Sequence, residues 1–387
     1  MVYTEEQARR MIVRAGMRLA KMGLDAGTGG TISARISDTH FAVTPGGRAY
    51  ETLQPEDIAV VKIEDCSREG EQKPSGEKGL HAVVYRLRPN VNFVLHTHQA
   101  FASSWSVLGE NLSAADLMVS QERGAELIRV LGGGIPCTAY ALPFAGRFRK
   151  NVKRTVEEFP ESRTVLIRNH GALCMGRDED EAFEAAGALE QVCRKQYEDR
   201  RGLVFQSGLS QRGYYGRSLR KGRRVAFRCG DKKKIYHLGS RSGEKVNVEF
   251  ALHGTIYRHT KRNCVLHVRT PYVMAVSSEG RTMKPFLDDL ARIAGPGVRC
   301  MPDGDFSGAA GRRLAGALRG RKAVLLRDNG AICVGKSLED AEETAAVLEK
   351  GCQAALLAGS PGGCRPIPLG YAYLERMICR MKDLKLK

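Results

Sequence analysis

Long hydrophobic runs are absent from this 387-residue sequence. No apolar stretch approaches the ~20 residues that a helix needs to cross a bilayer, and the first residues contain nothing like the apolar core of a signal peptide. These absences argue against a membrane partner and against secretion. The chain is therefore expected to be soluble and cytoplasmic.

Cysteine pairs are also missing. The sequence has 11 cysteines, an odd number, and none of them forms a Cys-x-x-Cys pair. Cys174 and Cys333 stand in apolar runs, where a free thiol behaves as a small buried hydrophobic residue. The pattern argues against a disulfide scaffold and indicates reduced thiols.

Acidic residues are nearly absent between Arg200 and Lys245. This stretch contains fourteen Lys or Arg residues against only Asp231 and Glu244, so it supplies +12 of the formal net charge of +18. Such a stretch is able to bind nucleic acid, but no recognisable DNA- or RNA-binding motif accompanies it. A solvated, anion-steering linker is the preferred interpretation, and nucleic acid is the less favoured partner.

Three histidines are the most informative residues present. His96 and His98 end an apolar, strand-like run, and because alternate residues of a strand point to the same side, both rings can face one point. His170 follows a second such run. Three imidazoles with an open position are typical of a catalytic metal site, although a histidine at a strand end also occurs as an ordinary half-buried residue.

Glu77 precedes the first histidine pair. A turn over Lys73–Glu77 ends just before a predicted helix at Lys78–Leu87, which places the carboxylate near a helix start. The helix dipole favours a negative charge there, and the carboxylate is able to act as a metal ligand or as a base. The alternative is that Glu77 is a first-turn charge on an ordinary helix.

Five segments follow one another in a characteristic order: Gly27–Arg35, Val43–Gly47, Pro74–Glu77, His96–His98 and Asn169–Gly171. In order and spacing they resemble the class II aldolase/adducin family, over about residues 4 to 200. The resemblance implies an α/β fold with a mixed sheet between helical layers. That family includes sugar-phosphate aldolases, an epimerase and a dehydratase, together with the non-enzymatic adducin head.

The resemblance implies a lyase that cleaves or forms a carbon–carbon bond in a ketose or ketose phosphate through a metal-stabilised enediolate. Glu77, His96, His98 and His170 would hold Zn2+, or another divalent metal such as Mn2+ or Co2+, and Glu77 would also carry a proton. An epimerase, a dehydratase, a decarboxylase and a non-catalytic, adducin-like interaction protein stay open as alternatives, since the metal site alone does not fix the reaction.

The resemblance also supplies candidates for substrate binding. They are Gly30, Thr31, Thr44, Gly46, Gly47, Ser75 and Gly76. Three side-chain contacts that usually hold phosphate in the family are changed or lost here, but the backbone N–H groups of a glycine-rich segment can still cradle an anion. A sugar phosphate and a smaller, non-phosphorylated or carboxylate-bearing substrate are therefore both expected candidates.

Asp116 is a further catalytic candidate. It resembles the position at which the family's epimerase places an acid/base carboxylate from a neighbouring subunit. An exposed loop acid is the competing interpretation.

The second half of the chain repeats the first. Leu80–Arg86 recurs as Leu252–Arg258, and Val165–Ala172 recurs as Val324–Ala331. The repeat retains Glu249 and His267 in the places of Glu77 and His96, but has Arg269 and Asn329 in the places of His98 and His170. A guanidinium repels a dication and an amide is a poor zinc ligand, so the second copy is expected to hold no metal.

The expected organisation is a domain with an intact metal site at 1–208, a basic linker at 209–222 and a degenerate repeat at 223–387. Family enzymes form four-fold rings with active sites between neighbours, so the resemblance implies a homodimer that closes a pseudo-four-fold ring. Arg269, Tyr371 and Tyr373 are the candidates to reach a substrate in the partner's site.

Overall fold

The computed structural model describes residues 3–25, 30–120, 123–202, 214–230, 232–238, 248–306 and 308–385. The chain divides into two compact units, Met1–Val204 with Ser360–Cys364, and Phe205–Gly359 with Arg365–Lys387. Each unit contains a seven-stranded sheet. The duplication predicted from the sequence therefore appears as two sheets of equal strand number.

The first unit begins with helix α1, Glu5–Lys21, which starts at a capping box formed by Thr4 and Gln7. Its other elements are β1 Thr31–Arg35, β2 His40–Val43, 3-10 helices at Tyr50–Thr52 and Pro55–Asp57, β3 Ala59–Lys62, β4 Arg68–Glu69, α2 Lys78–Leu87, β5 Phe93–Thr97, α3 Ala100–Ser106, α4 Ala114–Ser120, α5 Gly124–Leu131, α6 Gly146–Glu158, β6 Thr164–Ile167, β7 Gly171–Gly176 and α7 Glu179–Arg201. The helix predicted at Lys78–Leu87 is confirmed with those bounds.

The first sheet has the strand order β4-β3-β2-β1-β5-β7-β6, and its paired neighbours are antiparallel. Phe41, Val61 and Leu173, from three of its strands, pack in one core with Leu80 of α2 and Phe148 of α6. Helices α1 and α7 pack on the sheet as well. The predicted α/β fold, a sheet between helical layers, is confirmed.

The second unit follows the same plan. Its elements are β8 Tyr214–Lys221, β9 Arg224–Cys229, β10 Lys232–His237, α8 Val248–His259, β11 Cys264–Val268, α9 Pro271–Ser278, α10 Asp288–Ala294, β12 Cys300–Met301, α11 Gly308–Ala317, β13 Ala323–Leu326, β14 Ala331–Gly335, α12 Leu338–Ala358 and α13 Leu369–Lys385. The sheet order is β10-β9-β8-β11-β14-β13-β12, and the sheet is mixed because β12 runs parallel to β13.

The segment 209–222, expected to be a basic linker, contributes a strand to this second sheet. Residues 214–221 form β8, which pairs with β11 as β1 pairs with β5. Residues 209–213 lie outside the described residues. The sequence did not predict this strand, because cations replace apolar residues on one of its faces. The alternation of apolar and polar residues by which half-buried strands are recognised is therefore missing.

A buried hydrogen-bond network shows that the two sheets are related in detail. The Ser33 hydroxyl lies 2.7 Å from His81 Nδ1 and 2.7 Å from the Tyr85 hydroxyl, and both partners belong to α2. In the second unit Ser218 is placed in the same way, 2.6 Å from the ring nitrogen of His253 and 2.9 Å from the hydroxyl of Tyr257. The recurrence shows that Ser33 of β1 and Ser218 of β8 occupy equivalent positions in the two repeats.

None of the described helices is both long enough and apolar enough to cross a membrane.

Candidate metal centre

Strand β5 and the residue after it position His96 and His98. His96 Nδ1 donates a hydrogen bond to the carbonyl oxygen of Ala172, 3.0 Å away on the neighbouring strand β7. Because a carbonyl oxygen can only accept, this bond leaves Nε2 of the neutral ring with its lone pair. His98 lies two residues further on, and its Nε2 is 3.0 Å from the Nε2 of His96.

The tight turn between β6 and β7 positions His170. Asn169 adopts a left-handed conformation with φ 61°, which asparagine tolerates better than most residues, and the His170 amide donates to the carbonyl oxygen of Ile167 at 3.0 Å. The His170 ring stacks against that of His96, with centroids 5.2 Å apart. Backbone geometry thus aims this ring at the histidine pair.

Glu77 completes the group from the start of α2. It occupies the N-cap position without making a side-chain capping bond. Its Oε1 lies 3.2 Å from His170 Nε2, and its Oε2 lies 3.3 Å from His96 Nε2. The hydroxyl of Ser75 accepts a hydrogen bond from the Glu77 amide at 3.2 Å, which anchors the backbone below the carboxylate.

The four side chains fit a divalent ion. All are buried, and one ligand atom from each lies within 4.8 Å of the others. A tetrahedral zinc with ligands at about 2.0–2.1 Å has ligand atoms about 3.3 Å apart, close to the 3.0, 3.2 and 3.3 Å found here. Within the part of the chain that the structure describes, no other group of histidine, cysteine and acidic residues is placed to hold an ion.

His81 stands next to this group without adding charge to it. Burial and, to a smaller extent, the nearby His96 lower the pKa of His81 to about 3, against a weaker opposite effect of Glu77. The ring is therefore neutral at physiological pH. His81 therefore adds no charge beside the carboxylate of Glu77.

Several predicted substrate-binding residues lie close together, at the start of β1, in the loop after β2 and in the turn before α2. The hydroxyls of Thr31 and Ser75 are 2.9 Å apart and buried, and the Ser75 amide donates to the carbonyl oxygen of Thr44 at 3.0 Å. The Thr44 hydroxyl is used within the fold, because it accepts from the Ile32 amide at 3.1 Å. Gly46 also lies beside Ser75, since a Cβ atom on Gly46 would be 3.6 Å from the Cα atom of Ser75.

Two of the predicted glycines occupy positions where a Cβ atom would come too close to a neighbouring atom. A Cβ on Gly30 would lie 2.4 Å from the hydroxyl of Tyr50 and 3.0 Å from the carbonyl oxygen of His96, and a Cβ on Gly76 would lie 2.9 Å from the ring of Phe144. Gly47 is required by conformation instead, since its φ is 76°. Residues 27–29 of the first motif lie outside the described residues.

Asp116 is not part of the histidine group. It lies exposed in the first turn of α4, where its carboxylate accepts from the amide and the hydroxyl of Ser113, both at 2.7 Å. These hydrogen bonds lower the pKa of Asp116. The side chain borders an open cavity of about 410 Å3 beside Trp105 and Arg200, and its catalytic role stays a prediction.

Sequence reasoning missed two aromatic residues beside the site. Burial, followed by the charges of Asp25 and Glu77, raises the pKa of Tyr50 well above its usual range. Phe144 packs over Gly76 with φ 66°, a conformation that is strained for a bulky residue. Neither belongs to a motif, so only the fold brings them here.

The second repeat uses its retained residues differently. Nδ1 of His267 lies 2.7 Å from Glu249 Oε1, and its Nε2 lies 2.6 Å from the carbonyl oxygen of Asn329. Burial alone would raise the pKa of Glu249, but hydrogen bonds from His253 and His267 lower it to about 2. Because both nitrogens of His267 face oxygen acceptors, this ring directs no lone pair toward an ion.

A family model described as the class II aldolase and adducin N-terminal domain matches the chain twice, at residues 10–197 and 217–356. The two matched segments correspond to the two sheets. The match therefore covers both repeats, including the one without a complete ligand set.

Three relatives align with about half of the chain. It is 29% identical over 194 residues to the 5-deoxy-D-ribulose 1-phosphate aldolase of Bacillus thuringiensis serovar kurstaki, covering 50% of this chain and 85% of the relative. It is 30% identical over 194 residues to the methylthioribulose-1-phosphate dehydratase of Serratia proteamaculans, and this alignment covers 48% of this chain and 92% of the relative. It is 27% identical over 198 residues to an L-ribulose-5-phosphate 4-epimerase of Salmonella paratyphi B, and this alignment covers 49% of this chain and 83% of the relative.

Proposed function

The chain belongs to the class II aldolase and adducin family, and from this membership we propose that its first repeat is a metal-dependent lyase. In this proposal it cleaves or forms a carbon–carbon bond in a ketose or ketose phosphate. The supporting observation is the buried group of Glu77, His96, His98 and His170, whose ligand atoms all lie within 4.8 Å of one another, three of the separations being 3.0–3.3 Å.

A divalent ion bound at this centre would polarise the substrate carbonyl and stabilise the negative charge that develops on its oxygen. The histidine nitrogens would hold the ion, and the Ala172 carbonyl keeps the His96 ring in the tautomer that this task needs. The Glu77 carboxylate makes no capping bond. In bond formation it would take the proton from the carbon beside the carbonyl, and in cleavage it would return that proton to the enediolate carbon.

The substrate's anionic end is proposed to lie beside Thr31, at the start of β1, and the loop residues Gly46 and Ser75. The paired hydroxyls of Thr31 and Ser75 are within 2.9 Å of each other and adjoin the Glu77 backbone. Since one of these two hydroxyls donates to the other, the pair keeps one O–H donor, which together with the glycine backbone N–H groups can bind a phosphate or a carboxylate. All three relatives are named for a sugar phosphate, which makes a ketose phosphate the first substrate class to test.

A dehydratase is the second candidate, since one of the relatives is a dehydratase of the same size as the first repeat. Epimerisation with Asp116 as the acid/base group has less support, because that carboxylate is occupied with Ser113. An adducin-like interaction protein without catalysis has no evident use for three converging histidines and a buried carboxylate.

Metal content provides the direct test. Full-length protein loaded with Zn2+ and freed of excess ion is expected to retain about one ion per chain. His96→Ala/His98→Ala should lose it, whereas His267→Ala, the matched change in the second repeat, should not. Two tightly held ions per chain, or an ion retained by the double variant, would refute the assignment.

The reaction class requires a separate measurement. The metal-loaded enzyme would be screened against ketose phosphates, ketoses and hydroxy-keto acids, with products followed by mass and by aldehyde release. Aldehyde release that disappears on chelation supports a lyase. Loss of water without an aldehyde would replace the lyase proposal by the dehydratase.

A further inference from the structure

Three strands of the second repeat present an aliphatic row to solvent. Directly opposed residues on neighbouring antiparallel strands point to the same side of a sheet. Leu219 of β8 is paired with Ala226 of β9, which is paired with Ile235 of β10. Leu219 is 40% exposed and Ile235 is 55% exposed, so the row is open although it is apolar.

The opposite face of these strands is covered by α8. Phe227 is directed to that side, where its ring lies 5.6 Å from that of Phe250 and 5.2 Å from that of His253. Ala226 precedes Phe227 along β9, and strand alternation therefore turns it away from α8. Among the described helices, none packs extensively on the side to which the aliphatic row points.

The first repeat contains the same row in a buried state. Ser33 and Ser218 are equivalent, since each hydroxyl contacts the histidine and the tyrosine of the helix that follows. The rows therefore begin at Ala34 and at Leu219. In the first repeat the row consists of Ala34, Ala42 and Val60, with exposures of 0%, 0% and 6%.

Helix α1 accounts for that burial. It packs on β1 and β2 of the first sheet, and its own apolar residues Ile12 and Leu19 are fully buried. A corresponding helix is missing from the described part of the second repeat. The second repeat has thus retained an apolar row at the position where the first repeat receives a helix.

Two rows of basic residues, with five Lys and Arg side chains between them, flank the open row and are called the cationic rows. Arg217, Arg228 and Lys233 are paired across the strands on one side, and Lys221, Arg224 and His237 on the other. The three strands contain no Asp or Glu. No ion pair within the described residues involves the five Lys and Arg side chains of these two rows. Their positive charge is therefore available to a ligand.

The edge of this sheet is less suited to a partner than its face. Strand β10 is the edge strand and begins with three consecutive lysines, Lys232 to Lys234. Lysines on an edge strand discourage the addition of another strand. A partner is therefore expected to lie across the face rather than to extend the sheet.

The composition of the face favours a helix over nucleic acid. Sheets that bind single strands present aromatic rings for base stacking, whereas the centre of this face is aliphatic. Tyr215, on the same strand as Leu219, already has the guanidinium of Arg269 over its ring at 3.7 Å. Its ring face is therefore occupied within the protein.

We propose that the outer face of β8, β9 and β10 binds an acidic amphipathic helix of a partner protein. The two cationic rows are four residues apart along each strand, or about 13 Å. A helix with its side chains is about 10–12 Å wide. A helix lying on the aliphatic row would therefore place glutamates on its two flanks over the two cationic rows.

A labelled peptide tests this proposal on the full-length chain. The probe is a designed helix of about 18 residues with leucines at positions i, i+3, i+4 and i+7 and glutamates on both flanks. Its control has the same composition in an order that abolishes the apolar stripe. Fluorescence anisotropy is expected to show saturable binding of the amphipathic peptide and at least about tenfold weaker binding of the control.

Two surface variants separate the apolar from the electrostatic contribution. Leu219→Ser/Ile235→Ser and Arg217→Glu/Arg228→Glu are each expected to weaken binding by about tenfold or more. Arg312→Glu/Arg313→Glu changes the same charge on exposed residues of α11 and should leave the affinity unchanged. Circular dichroism and retained metal content would establish that all variants fold.

Several results would overturn the proposal. Equal affinity for the two peptides is the first, and absence of binding because another segment of this chain already occupies the face is the second. The third is tighter binding of a single-stranded oligonucleotide of about 20 nucleotides, with an affinity that Leu219→Ser/Ile235→Ser does not change. A lower sedimentation mass of that variant would assign the face to a second copy of the chain instead.

Discussion

Glu77 stands at the N-cap position of α2 without using its side chain as a cap. Both carboxylate oxygens face histidines instead, so the residue combines a position suited to a charge with an orientation suited to proton transfer. Its helix does not depend on the carboxylate for hydrogen bonding. A change at this atom can therefore be separated from a change in fold.

Glu77→Gln is expected to lower turnover by about 100-fold or more, because glutamine has nearly the same shape but cannot accept and return a proton. The variant should keep its circular dichroism spectrum and most of its bound metal. Steady-state kinetics on the substrate identified for the wild-type enzyme would measure the effect. Glu184→Gln, on the exposed side of α7, should retain full activity, and near-normal turnover of Glu77→Gln would reduce Glu77 to a helix-start charge.

At the scale of elements, each repeat joins its first sheet strand to the following helix through a fully buried histidine. Burial lowers the pKa of His81 to about 3. It also lowers the pKa of His253, against the opposing hydrogen bond to Glu249. Both rings are therefore neutral in the folded protein at pH values where the unfolded chain already binds a proton at each of them.

The consequence is a loss of stability in mild acid. Between about pH 6.5 and pH 4.5 the unfolded chain gains a proton that buried His81 does not, so the free energy of unfolding should fall by up to about 1.4 kcal/mol per pH unit for each such histidine. Glu249 adds to this loss at the acid end of the window, because its folded pKa of about 2 lies below the ordinary value near 4.5 at which the unfolded chain binds a proton. Urea unfolding at several pH values would measure the slope.

His253→Gln provides the variant for this measurement. It removes one of the two histidines from the repeat that lacks the metal ligands, and the slope in the same pH window should become smaller. An unchanged slope would mean that His253 takes up its proton equally well in the folded protein. Exposed His259→Gln serves as the matched control.

At the scale of the whole molecule, one family fold occurs twice but the complete ligand set occurs once in the described residues. The second unit nevertheless keeps a buried core and exposes apolar side chains. Leu369, Tyr373, Met377 and Met381 recur at every fourth position of α13 and are 63%, 58%, 52% and 51% exposed. Such a stripe on one side of a helix is typical of a protein interface.

The chain is accordingly predicted to form a homodimer in which α13 contributes to the contact. Sedimentation should give the mass of two 42.5 kDa chains, since closed two-fold symmetry buries one such stripe against its copy. Tyr373→Ser/Met377→Ser should shift the mass toward a single chain. Met17→Ser/Met22→Ser, which changes two exposed methionines of the first repeat, should not, and a wild-type mass of one chain would contradict the prediction.

The sequence by itself determined the features that depend on neighbouring residues and on order along the chain. Strand alternation placed His96 and His98 on one side, the turn before Lys78 placed Glu77 at a helix start, and the recurrence of Leu80–Arg86 as Leu252–Arg258 revealed the duplication. Periodicity and capping are local properties, so they can be read without the fold. Missing ligands in the second repeat were readable for the same reason.

Only the tertiary structure decided the features that depend on contacts between distant segments. Residues 214–221 form a strand rather than a linker because β11 and β9 supply their hydrogen bonds, and Tyr50 and Phe144 reach the candidate site through packing. The exposure of Leu219 and Ile235 also follows from a helix that is present in one repeat and absent from the described part of the other. Burial is a property of the assembled chain, and local sequence patterns do not encode which side chains a distant element will cover.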